Sequence, residues 1–207
     1  MRPPHPTGTS RDPGALLIIG VHREELAFGE RVAEGLGPEL IDLLRIPEGI
    51  SGRRPHPDQV FYYELQHREL YRQIKDQIHG HYSLVVDLHC GLDQAGPCAD
   101  VISRDTGLLV CVERQATERF GTTPGSRPVR AVVLEGQAST SSPPGVAQGR
   151  TVIPPGVWDD PAFCYVGLEV YLRRPGAGDE RDWALARWLI RAVLACRPGA
   201  QLAADHL

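Results

Sequence analysis

Two spacings of apolar residues alternate along this chain. Leu16-Leu17-Ile18-Ile19 is an unbroken apolar run ending at Gly20, which reads as a buried strand followed by a turn into a helix. From Glu24 to Leu36 the apolar residues Phe28, Val32 and Leu36 fall four apart, which predicts a short amphipathic helix stopped by Gly37-Pro38. Leu40 to Leu44 reads as a second strand, completing a βαβ unit and favouring a parallel pair. Asp58 to His79 is the clearest helix, with Tyr63, Leu70, Ile74 and Ile78 on one face and Gly80 at its end. Strands are expected over Ser83–Asp87, Ala99–Ser103, Val129–Leu134 and Tyr165–Leu172. Leu109, Val112, Ala116 and Phe120 mark a further helix, and Trp183, Ala186, Ile190 and Val193 mark a last one over Arg181–Cys196. Gly136 to Pro155 is rich in Ser, Gly and Pro and reads as a long loop, a place where function often sits. This succession predicts an α/β fold, a three-layer α/β/α sandwich around a mostly parallel mixed sheet.

Composition narrows the picture only where it excludes something. At 207 residues the chain is long enough for one domain with a core. A formal net charge of -4 gives no basis for a nucleic-acid or anionic-membrane partner. No apolar run approaches the roughly 18 residues that span a bilayer. Residues 1–13 lack an apolar signal core and read as a flexible tail ahead of a single catalytic domain over 14–207, with the cytoplasm as the default compartment. The five cysteines are odd in number and form no C-x-x-C pair, so neither a disulfide framework nor a zinc ribbon is expected.

The candidate chemistry gathers at strand ends. His22 and Glu25, spaced H-x-x-E, follow the first apolar run, and His89 follows Ser83–Asp87. Open α/β sheets place their sites at the carboxyl ends of strands. Two imidazoles and one carboxylate leave a position open on tetrahedral zinc, the catalytic arrangement, and the same set also suits iron or manganese. Glu169 stands in an otherwise apolar strand. Alternation places it with Gly167 and Tyr171, opposite Val166, Leu168, Val170 and Leu172. An apolar wall there would raise its pKa and suit it to act as a general base. Glu135 is a competing carboxylate at a strand end. Arg53 and Arg54, in a Gly/Pro loop, are candidates to clamp a substrate carboxylate or to steady an oxyanion. Asp87, two residues before His89, is placed to orient that ring. His56, His67, His79 and His81 read as surface residues, and Cys90 as no nucleophile.

Gly20-Val21-His22-Arg23-Glu24-Glu25, Asp87-Leu88-His89 and the late-strand Glu169 resemble, in order and context, the zinc carboxypeptidase superfamily. The succinylglutamate desuccinylase and aspartoacylase branch, with its G-x-H-G-N-E and D-L-H motifs, looks closest. The resemblance spans roughly residues 14 to 196. It implies that His22, Glu25 and His89 bind one zinc ion and that Glu169 is the general base and proton shuttle. It also implies an arginine between the two ligand motifs, a place that Arg53 or Arg54 could fill. Two departures stand out: Arg23-Glu24 replaces the branch's Gly-Asn, and its D-L-N-R substrate motif has no counterpart. The expected activity is hydrolysis of an amide bond in a small N-acyl amino acid or a peptide C-terminus. Its substrate is then a small molecule or short peptide bearing a carboxylate. An N-formylglutamate amidohydrolase-like enzyme and a non-catalytic metal-binding relative are the alternatives.

Overall fold

The computed structural model describes residues 14–93, 96, 98–121, 128–134 and 147–197. The expected tail, Glu135 and loop residues 136–146 lie outside them. Seven strands form one sheet: β1 (Ala15–Ile19), β2 (Asp42–Arg45), β3 (Leu84–Leu92), β4 (Ala99–Ser103), β5 (Val129–Leu134), β6 (Ala147–Gly149) and β7 (Cys164–Leu172). Their order is β2-β1-β3-β7-β4-β5-β6. Neighbours are parallel throughout except at one seam, where β4 runs antiparallel to β7. The carboxyl ends of β1, β3 and β7 therefore meet the amino ends of β4 and β5 at the same edge of the domain.

Both faces of the sheet are covered, which is why β1 is an unbroken apolar run. On one face, helices α1 (Leu26–Ala33), α3 (Thr106–Phe120) and α5 (Glu180–Cys196) pack on Leu17, Ile19, Val86, Val101 and Leu168. On the other, α2 (Val60–Ile78) and the short α4 (Pro155–Trp158) pack on Leu16, Ile18, Val85 and Tyr165. The domain is thus an α/β/α sandwich on a mixed, mostly parallel sheet. No helix among the described residues is long and apolar enough to cross a membrane.

Several expectations shift. A 3₁₀ turn, Arg23–Glu25, precedes α1, so H-x-x-E lies on that turn and not in the α-helix itself. The expected loop before α4 carries the short strand β6. Cys111 and Cys196 form a disulfide, contrary to the cysteine count. They lie 85 residues apart, so no local spacing betrays them, yet they sit on α3 and α5, which pack side by side. Cys90 and Cys164 are free thiols.

Candidate metal centre and cavity

The site begins where β1 ends. Gly20 has φ +81°, and a Cβ there would lie 2.6 Å from the Ile46 carbonyl oxygen, so only glycine makes this turn. The chain is then held by Ile50, whose N–H donates to the Val21 carbonyl and whose carbonyl accepts from Arg23 N–H, both at 2.9 Å. Residues three apart eclipse on a 3₁₀ turn, and His22 and Glu25 accordingly stand over one another. His22 Nδ1 lies 2.7 Å from Glu25 Oε1. From β3, which is parallel to β1, His89 Nδ1 approaches the other oxygen of Glu25 at 2.9 Å. One ligand atom from each of the three residues falls within 4.8 Å of the others.

The far nitrogens of both rings are also engaged. His89 Nε2 lies 3.2 Å from Asp87 Oδ2, an oxygen that also accepts from the hydroxyls of Tyr71 at 2.6 Å and Tyr165 at 2.7 Å. Asp87 is fully buried, and its Oδ1 has no hydrogen-bond partner among the described residues. His22 Nε2 lies 3.1 Å from Nε2 of His67, whose Nδ1 faces the Tyr63 carbonyl at 2.8 Å. A carbonyl only accepts, so His67 donates through Nδ1 and presents a lone pair at Nε2. His22 Nε2 must then donate, leaving its Nδ1 lone pair aimed at Glu25. The same reasoning from the Asp87 carboxylate leaves the Nδ1 lone pair of His89 aimed there too. Two imidazole lone pairs and a carboxylate converge on one point and need a cation between them, so the donor set fits a divalent metal ion.

Without a metal ion, a proton on His89 meets the same need for positive charge beside Glu25. Burial pushes the Glu25 carboxyl up, but its bonds to His22 and His89 outweigh that and hold it below the ordinary value. Burial alone would lower His89, and the charge and hydrogen bond of Asp87 overcome it, keeping the ring well above the usual imidazole range. The Cys90 thiol is pushed well up by burial, in keeping with no nucleophilic role.

Glu169 is the register partner of His89 on the adjacent β7, on the same sheet face. Its carboxylate leans over Gly91, where a Cβ would come within 2.7 Å of Oε1. Burial raises its pKa to about 7. It lines, with His22 and His89, a cavity of about 360 Å³ that runs along the sheet beneath residues 150–153.

Arg53 and Arg54 are not among the residues lining that cavity. The Arg53 side chain is exposed and lies 3.9 Å from Glu24, which also accepts from Ser51 Oγ at 2.8 Å and Gly52 N–H at 3.1 Å. Glu24, at one of the two positions where the G-x-H-G-N-E pattern is broken, thus ties down the loop that passes over His22.

His67 corrects the expectation of a surface residue, being only 2% exposed. The buried stripe of α2 is His67, Tyr71, Ile74 and Ile78. That i, i+4, i+7, i+11 spacing was present in the sequence, but a histidine at its head does not register as an apolar position, and Tyr63 and Leu70 offered a competing stripe. Asp100 and Arg130, also on the cavity wall, carry no sequence signal, because their pairing depends on the register between β4 and β5.

Fold and site together describe an α/β/α domain with a candidate His/Glu/His metal centre. Neither a protein-family model nor a curated protein matches the sequence. Among solved structures, a point mutant of murine aminoacylase 3 matches with 14% identity and a TM-score of 0.46, covering 96% of this chain and 67% of that one. Unmutated murine aminoacylase 3 matches with 15% identity and a TM-score of 0.44, over 96% and 68% of the two chains. A succinylglutamate desuccinylase from Vibrio parahaemolyticus matches with 12% identity and a TM-score of 0.44, over 91% and 67%. The chain spans about two thirds of the length of each.

Proposed function

We propose that this chain is a zinc-dependent hydrolase that cleaves the amide bond of a small N-acyl amino acid or a peptide C-terminus. The observation that carries the reading is the convergence of His22 Nδ1, His89 Nδ1 and the Glu25 carboxylate beside the raised carboxyl of Glu169. His22, Glu25 and His89 would hold the ion, one per chain. When bound, zinc supplies a Lewis acid that polarises a carbonyl and lowers the pKa of a water toward about 7. Glu169 takes the proton of the attacking water and returns it to the leaving amine as the C–N bond breaks. Asp87 and His67 hold the two rings in the tautomers that coordination requires. No cavity role is assigned to Arg53 or Arg54.

The test is Glu169→Gln assayed on N-acetyl, N-formyl and N-succinyl amino acids and short peptides. The variant should keep its zinc and lose turnover by about 10²- to 10⁴-fold, the usual contribution of a general base. Unchanged turnover removes Glu169 from this role. Stoichiometric metal with no hydrolysis of any substrate by the wild type favours a non-catalytic metal-binding protein.

A further inference from the structure

Strand register defines the cavity floor beyond the metal centre. Next to the ligands runs a polar row: His89 pairs with Glu169, Glu169 with Asp100, and Asp100 with Arg130. Two residues along each strand, on the same face, runs an apolar row: Gly167 pairs with Ile102, Ile102 with Val132, and Val132 with Ala147. Leu134, Val152 and Ile153 add apolar lining, and Gln148, Arg150 and Thr151 add polar lining.

Gly167 is the telling position. Its φ is not positive, and a Cβ built on it would meet Ile102 Cβ at 3.5 Å, an ordinary contact. Neither the backbone nor the packing requires glycine here. The missing side chain leaves cavity space directly beside Glu169. The polar row ends in a fixed cation. Arg130 donates from Nε and Nη2 to the two oxygens of Asp100, at 2.8 and 2.6 Å. Asp100 is buried and also accepts from the Tyr171 hydroxyl at 2.9 Å. With one edge held, the Arg130 side chain remains 47% exposed on the cavity wall. Three strand spacings of about 4.8 Å put its backbone ~14 Å from that of His89. Both side chains shorten that span to the scale of one small substrate.

We propose that Arg130 reads the single carboxylate of the substrate, and that the slot over Gly167, Ile102 and Val132 takes an apolar side chain or acyl chain. This deepens, and rests on, the amide-hydrolase reading. A second carboxylate laid in that slot would lie against Gly167, Ile102 and Val132, beside the Glu169 carboxyl, and would lose hydration there. Substrates with one carboxylate and an apolar group are therefore selected over acyl-aspartates and acyl-glutamates. A guanidinium already held by a buried carboxylate is preorganised for a second one.

The experiment uses the zinc-loaded full chain with N-acetylleucine, N-acetylglycine, N-acetylaspartate and N-acetylleucine amide. The expected kcat/KM for the leucine compound exceeds that for the aspartate compound at least tenfold. Gly167→Ala should cut kcat/KM for the leucine compound at least tenfold more than for the glycine compound, and Ala147→Leu, at the far end of the row, should act in the same direction. Arg130→Gln should raise KM for N-acetylleucine at least tenfold more than for its amide. Preference for N-acetylaspartate, or equal losses across compounds in these variants, overturns the proposal. If the wild type hydrolyses nothing, the hydrolase reading fails, and calorimetry then decides the slot alone. N-acetylleucine should bind at least tenfold more tightly than N-acetylaspartate, with the difference erased in Gly167→Ala. Equal binding of the two overturns the slot independently of turnover.

Discussion

Glu169→Gln should make the metal-free protein more stable at neutral pH while removing its activity. Glu169 lies on a sheet strand between the metal centre and an apolar slot, and burial lifts its carboxyl from an ordinary 4.5 to about 7. At about 1.36 kcal/mol per pKa unit, ionising it in the folded chain costs up to about 3 kcal/mol, the upper figure because the side chain keeps partial contact with the cavity. The sign follows from proton binding. Below pH 4.5 both folded and unfolded chains hold the proton and nothing is lost. Between 4.5 and 7 the folded chain holds a proton that the unfolded chain has released, so stability falls as pH rises through that window and levels off above it. Urea denaturation in the presence of a chelator, at half-unit steps from pH 5 to 8, isolates this term by comparing wild type with Glu169→Gln, whose amide does not titrate. The wild type should lose about 2 kcal/mol more than the variant across that range. Parallel curves, within about 0.5 kcal/mol, would show that Glu169 is not held against its own ionisation, and the general-base argument would lose its physical footing.

Other outcomes follow from the same geometry. His67→Phe removes the acceptor facing His22 Nε2 and should weaken zinc binding by roughly 10- to 100-fold in a chelator competition. His67→Gln, which restores an acceptor, should recover part of that loss, and equal affinities in all three proteins would contradict the tautomer argument. In the zinc-loaded enzyme, kcat/KM should rise with pH along a limb centred at or below 7, because a nearby cation draws Glu169 below its metal-free value. A profile flat from pH 5 to 8 would speak against a carboxylate base. Cys111→Ser opens a cross-link between residues 85 apart and should cost up to about 4 kcal/mol in oxidised protein and nothing in the presence of a thiol reductant. Equal denaturation midpoints under oxidising conditions would mean the bond does not form.

What could be read in the sequence, and what could not, divides along physical lines. The apolar run Leu16–Ile19 signals a strand covered on both sides, and the alternation from Val166 to Leu172 correctly turns Glu169 away from the core face that holds Leu168 and Val170. His22 and Glu25 are legible because their pairing is local, three residues apart. His89 is legible because it follows the apolar run Leu84–Val86, although β3 itself continues to Leu92. The rest of the site depends on tertiary relations that no window of sequence contains. His67 is hidden because the polar composition of α2 masks a buried stripe whose members include a histidine and a tyrosine. Asp100 meets Arg130 only through the register of β4 on β5, and meets Glu169 only because β4 runs antiparallel to β7; neither relation leaves a mark on the residue pattern of a single strand. Arg53 and Arg54 looked available because they lie in a Gly/Pro loop between the ligand motifs. That loop is tied down over His22 by Glu24, one of the two positions where the G-x-H-G-N-E pattern is broken, and the Arg53 side chain is exposed beside that carboxylate.

The metal content of the purified chain bears most directly on all of this. Elemental analysis of wild type and of His89→Ala, each with circular dichroism to establish folding, should find close to one zinc ion per wild-type chain and little or none in the variant. A folded wild type that takes up no divalent metal, or a variant that holds as much as the wild type, would contradict the convergence of His22, Glu25 and His89 on a single ion.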